Sequence, residues 1–162
     1  MKRTKTSLTS RLVIISAMMA GVFGLAVFLI WPRQDGATEF RSGDIAVIEP
    51  WARATPGPSR IGAVYLTIAN RGGQPDRLIG ADTAIAQRVE VHNTITENGM
   101  MQMRPLESVE LAPGQTVQFA PNGMHLMLMG LKEPLVEGRT FELDFVFEVS
   151  GARKVKVVVR KS

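Results

Sequence analysis

At 162 residues the chain has room for one domain and a short appendage, and 19 basic against 15 acidic residues give it a formal charge of +4. Lys2, Arg3, Lys5 and Arg11 carry that whole excess, leaving 15 basic against 15 acidic residues beyond residue 32. A neutral body with 6% aromatics excludes a basic, aromatic-interleaved nucleic-acid surface, and the absence of Cys excludes disulfide scaffolds, thiolate metal sites and cysteine nucleophiles.

Residues 1–11 form a basic flank. Leu12 to Ile30 follows as 19 uncharged residues, which as a helix rising about 1.5 Å per residue matches the ~30 Å of a hydrocarbon core. With positives before it and Trp31 after it, the segment 12–31 is expected to be a transmembrane helix, with the N-terminus cytoplasmic and the body exported. The alternative is a signal peptide whose cleavage leaves a soluble protein. Phe28-Leu29-Ile30-Trp31-Pro32 offers no small-x-small cleavage site, and the apolar run exceeds the about 7 to 15 residues usual for a signal, which favours the anchor.

Residues 32–43 are polar, hold two Gly and one Pro, and read as a linker. Over residues 44–162 short β-branched and apolar runs recur between turn signals, the pattern of an all-β sandwich or barrel. The expected strands are Ile45 to Ile48, Ala63 to Ala69, Arg77 to Gly80, Arg88 to His92, Ser108 to Leu111, Thr116 to Phe119, His125 to Met129, Thr140 to Val149 and Lys154 to Val159. Between them, Asn70-Arg71-Gly72-Gly73 offers positive-φ positions, Pro113-Gly114 suits a type II turn, and Asn122-Gly123 resembles a tight hairpin turn. Phe141, Leu143, Phe145 and Phe147 alternate with polar neighbours as on a half-buried strand.

Six of the nine methionines fall between Met100 and Met129, with His125 among them and His92 just before. In a strand over 124–129, Met124, Leu126 and Leu128 take one face and His125, Met127 and Met129 the other. His92 shares the polar side of its strand with Arg88 and Glu90 and is expected to be accessible. Asn93 to Gly99 reads as a turn-rich connection, after which Met101 and Met103 share a face. Met100, Met101, Met124 and Met129 are expected to serve packing or to surround the site. Trp51 is expected to be a core anchor, with shielding of the site as the alternative, and Arg53 and Arg104 are expected to be solvated surface residues, with contact to an acidic partner as the alternative.

Thioether sulfur is a neutral, soft donor that Cu(I) accepts together with imidazole. Zn²⁺ would call for Cys or carboxylate beside His, and Ca²⁺ for an array of oxygens. The donor types therefore point to Cu(I).

The spacing His92, ten residues, Met103, twenty-one residues, His125, one residue, Met127 resembles the H-x10-M-x21-H-x-M motif of the periplasmic copper chaperone family called PCuAC. The resemblance extends through Pro50-Trp51-Ala52-Arg53-Ala54-Thr55-Pro56, Gly62-Ala63-Val64-Tyr65-Leu66-Thr67, Asp76-Arg77-Leu78, Val89-Glu90-Val91-His92, Met103-Arg104-Pro105 and His125-Leu126-Met127-Leu128-Met129-Gly130-Leu131. It implies a cupredoxin-like, Greek-key β-sandwich in the periplasm, with Cu(I) held by His92, Met103, His125 and Met127; many relatives are released by signal cleavage, whereas the apolar segment reads here as an inner-membrane anchor. It also implies delivery of copper to the CuA site of cytochrome c oxidase subunit II, directly or through a thioredoxin-like copper assembly protein. The family often has Met after the first His, where this chain has Asn93.

No GxSxG elbow, HExxH helix or Gly-rich phosphate loop supports an enzyme, and a blue-copper centre would require a Cys thiolate. The remaining alternatives are an exported protein-binding β-sandwich module and copper sequestration without delivery.

Overall fold

The computed structural model describes residues 39–42, 44–97 and 99–161. The basic flank, the apolar segment and most of the linker lie outside these residues. The described residues contain no helix and form eleven strands: β1 (Glu39–Ser42), β2 (Ile45–Arg53), β3 (Ile61–Asn70), β4 (Asp76–Asp82), β5 (Arg88–Glu97), β6 (Met100–Leu106), β7 (Val109–Leu111), β8 (Thr116–Phe119), β9 (His125–Met129), β10 (Thr140–Phe147) and β11 (Gly151–Arg160). The all-β reading is therefore correct, with two strands more than the sequence pattern showed.

The strands pair in the order β6-β5-β9-β3-β2-β11-β10-β4-β7, with β1 added to β2 and β8 to β3. Among the described strands only β11 and β2 pair parallel. The alternation in β10 behaves as its pattern requires: Phe141, Leu143, Phe145 and Phe147 are buried while Thr140, Glu142 and Val146 are exposed. Full burial of each such side chain contributes about 1.5 to 3 kcal/mol. They join Val155 and Val157 of β11, Val64, Leu66 and Ile68 of β3, and Leu126 and Leu128 of β9 in one core. The sheet curls around that core until β4 approaches β5, and residues of these two strands and the end of β6 line a cavity of about 350 Å³.

Buried polar groups close the turns. The Asn70 side-chain amide donates to the carbonyls of Gln74 and Leu111 at 2.7 and 2.9 Å. Its carbonyl accepts the Gly72 amide at 3.0 Å. That side chain shapes the Asn70 to Gly73 turn, where no residue takes the positive φ expected from its glycines. At Pro113-Gly114 the type II expectation holds, because Gly114 has φ 73° and the Gln115 amide reaches the Ala112 carbonyl at 2.9 Å.

Three local expectations are corrected. Strand β2 does not stop at Ile48. Glu49 adopts φ 48°, the register shifts between Ile48 and Trp51, and the strand continues beyond this bulge, which also accommodates the missing N–H of Pro50. Asn93 to Gly99 is mostly strand, since β5 runs on to Glu97 and returns as β6, with Glu97 opposite Met100. Asn122-Gly123 is not a hairpin turn. Both β8 and β9 pair antiparallel with β3, β8 along Leu66–Ala69 and β9 along Ile61–Val64, so residues 120–124 are an excursion between two strands that follow one edge of β3.

Candidate metal centre

The bulge at Glu49-Pro50 brings Trp51 opposite Tyr65. Tyr65 follows the Val64–Leu126 pair, His125 is opposite His92, and His92 is opposite Pro105. Five strands thus contribute one transverse row: Trp51, Tyr65, His125, His92, Pro105. Ring centroids along it are 4.7 Å apart for Trp51 and Tyr65, 6.4 Å for Tyr65 and His125, and 6.1 Å for His92 and His125. The Arg53 guanidinium lies 5.8 Å above the Tyr65 ring, a cation–π distance that helps bury the tyrosine. Trp51 is half-buried in this row rather than in the core, which corrects its reading as a core anchor.

Both imidazoles are held by one nitrogen. His125 Nδ1 is 2.9 Å from the Gly123 carbonyl, which can only accept, so Nδ1 carries the proton and Nε2 keeps its lone pair. His92 Nε2 is 2.9 Å from the Glu90 carboxylate, and by the same logic donates to it. Its Nδ1 is then a bare lone pair, and it is buried with no hydrogen-bond partner. An unmet buried acceptor costs about 1 to 3 kcal/mol, which a bound metal ion would relieve. A histidine held through its far nitrogen by a carboxylate or carbonyl is the usual arrangement of a metal ligand. His92, expected to be accessible, has a side chain only 13% exposed, and His125 is buried.

The thioethers complete the face. Met127 lies between Ala63 of β3 and Glu90 of β5 and is half-buried. Met103 is opposite Thr94, on the His92 side of the β5–β6 hairpin, and 58% exposed. The register thus places all four motif residues on one face: the imidazoles adjacent, Met127 two positions along β9 from His125, and Met103 diagonal to His92. Asn93 falls on the opposite face by strand alternation. Among the described residues no three of His, Asp and Glu converge, so a site with donors beyond the two imidazoles must draw on sulfur.

Of the methionines read as packing or surrounding residues, Met124 packs against the core and the Met129 sulfur is 3.3 Å from Arg88 Nη2. Met100 and Met101 do neither and are 63% and 64% exposed, so packing does not account for them. Glu90 went unassigned in the sequence, although its place two residues before His92 on one strand face was the available signal. The His92 hydrogen bond, and then the Arg88 guanidinium 2.6 Å away, hold its carboxyl below the usual carboxylate range against the opposing effect of desolvation. Beside His125 and Met127, a cavity of about 220 Å³ extends to Arg53, Tyr65 and Pro56.

Comparison with known proteins agrees with the resemblance to PCuAC domains. Residues 45–159 match the LpqE-like family, described as "Putative lipoprotein LpqE-like". The chain is 30% identical over 158 residues to "Putative lipoprotein Lxx21020" of Leifsonia xyli subsp. xyli (strain CTCB07), covering 97% of this chain and 93% of that one. The copper-bound PCuAC domain from PmoF2 matches with TM-score 0.66 and 27% identity, over 76% of this chain and 98% of that domain. The solution structure of CuI-DR1885 from Deinococcus radiodurans matches with TM-score 0.55 and 28% identity, over 81% of this chain and 86% of that one. The chain belongs to the LpqE-like family, and its all-β domain is of the PCuAC kind.

Proposed function

We propose that this protein is an exported Cu(I) carrier whose cupredoxin-like Greek-key sandwich holds the ion through His92, Met103, His125 and Met127. The observation that carries the reading is the unpartnered, buried Nδ1 of His92, adjacent to His125 on a face that also bears both thioethers. Its support from relatives is the copper named in the PmoF2 domain and in DR1885.

Four neutral donors leave the ion's +1 charge uncompensated within the coordination sphere. The donor set suits holding and release better than storage, because an acceptor with thiolates binds Cu(I) more tightly. We place the acceptor at the CuA centre of cytochrome c oxidase subunit II, reached directly or through a thioredoxin-like copper protein. The lipoprotein names in the family fit export. This sequence has no cysteine to receive a lipid, so the apolar segment 12–31 is the anchor in our reading, with the domain on the periplasmic side.

Anaerobic Cu(I) titration against a competing chelator tests the site. His125→Ala and Met127→Ala should each weaken binding by at least about tenfold, as expected when a donor is removed. Wild-type affinity in both would refute the assignment. Delivery is tested separately: deleting the gene should lower assembled CuA under copper limitation, whereas normal CuA with heightened copper sensitivity would identify sequestration.

A further inference from the structure

Met101 is a large apolar side chain that the structure leaves 64% exposed on a strand that, among the described residues, pairs with β5 alone. Isolated exposed methionines need no explanation. This one is placed two residues from Met103, opposite Thr96, in the register that puts Thr94 opposite Met103 and His92 opposite Pro105. Met101 and Met103 therefore face the same side as His92.

Where β5 and β6 pair, over residues 91–97 and 100–106, charge lies on the other side. Arg104 and Glu97, joined at 2.6 Å, alternate away from Met103 together with Met100. An edge strand is ordinarily guarded by charged side chains, and the metal-facing side of β6 carries thioethers in that place. Along a strand, residues two apart have Cα atoms about 7 Å apart, a span that two methionines with three rotatable bonds each can close around one ion.

We propose that Met101 is the entry and exit ligand of the copper site, forming with Met103 an exposed two-sulfur landing position from which Cu(I) moves to the two histidines and Met127. The inference rests on the four-donor site proposed above and adds a transfer step to it. In that step a bond from copper to Met101 sulfur forms as a bond to the incoming carrier breaks. Bonds to Met103 and then the imidazoles replace it; copper stays Cu(I) and no proton or electron moves. Release runs the same sequence backwards. A donor already tethered at the site makes each exchange intramolecular, and because Met101 is not among the four donors of the loaded site it speeds transfer without adding to final affinity.

Full-length protein labelled with ¹³C at the methionine methyl groups, in detergent micelles, is titrated anaerobically with Cu(I), and exchange with a Cu(I)–chelator complex is timed. The methyl signals of Met103, Met127 and Met101 should shift, while Met100, equally exposed on the opposite side, should not. Met101→Leu should keep equilibrium affinity within about twofold but slow exchange about tenfold, and Met100→Leu should change neither. If Met103 and Met127 shift while Met101 stays still, or if Met101→Leu exchanges at the wild-type rate, the landing position is wrong and the four-donor site stands. If Met103 and Met127 also stay still, that site falls and the landing position with it.

Discussion

Replacing Glu90 by Ala tests whether the unpartnered nitrogen of His92 is a donor atom by design. The carboxylate accepts the Nε2–H at 2.9 Å and so fixes the tautomer with the lone pair on Nδ1. Without it both tautomers become accessible, and the ring also loses the contact that sets its angle. Loss of such a supporting partner typically weakens metal binding about 10- to 100-fold. The Glu90 side chain is 30% exposed and shares its charge with Arg88, so the expected loss is at the lower end, about tenfold. Glu90→Gln keeps a neutral acceptor and should lose less. The assays are competitive Cu(I) titration and a long-range ¹H–¹⁵N correlation of the metal-free protein, which reads the protonated nitrogen of His92 directly. A proton on Nδ1 in the wild type, or wild-type affinity in Glu90→Ala, would refute the reasoning.

Asp76 gives a pH prediction with a definite sign. Desolvation raises its pKa, but hydrogen bonds from Ser150, Val149 and Arg77 outweigh it and hold the value below the ordinary 3.8. A carboxylate depressed in the folded state stabilises above pH 3.8 and loses that contribution as pH falls through the folded value. Asp76→Asn should therefore flatten the acid limb of a stability-against-pH curve; an unchanged limb would show that these hydrogen bonds do not set it. At neutral pH the same variant leaves a backbone N–H facing a side-chain amide and should cost about 1 to 3 kcal/mol by urea denaturation. Phe145 is fully buried, and Phe145→Ala should cost about 3 to 5 kcal/mol; a loss below about 1.5 kcal/mol would mean that the core collapses around the gap.

Legibility followed the number of faces a strand buries. Strand β10 announces itself because one face is phenylalanine and leucine and the other polar. Strand β6 does not, since its sequence Met-Met-Gln-Met-Arg-Pro-Leu has little burial on either face and so no period to read. Asn122-Gly123 marked a break between strands, with Asn122 at φ 63°, and not a reversal, since β8 and β9 run the same way along β3. A dipeptide carries no record of where the following strand will pair, and here β9 returned to the edge of β3 already used by β8. At the candidate site, period-two alternation placed His125 with Met127 and His92 with Glu90 on shared faces. What joined those faces was the His92–His125 pairing across β5 and β9, a contact between segments more than thirty residues apart.

The Gly123 carbonyl has one further consequence. It accepts His125 Nδ1–H at 2.9 Å and also the Thr94 amide at 3.3 Å, so its two lone pairs serve a ligand ring and the root of the methionine hairpin. Fraying at Thr94 frees the oxygen to shift, and a shift tilts the ring. Conversely, an ion that locks His125 holds the oxygen and shields the Thr94 amide from solvent hydrogen exchange. That single amide, which is not itself a metal ligand, is thus expected to gauge cargo: slow to exchange when loaded and fast when empty.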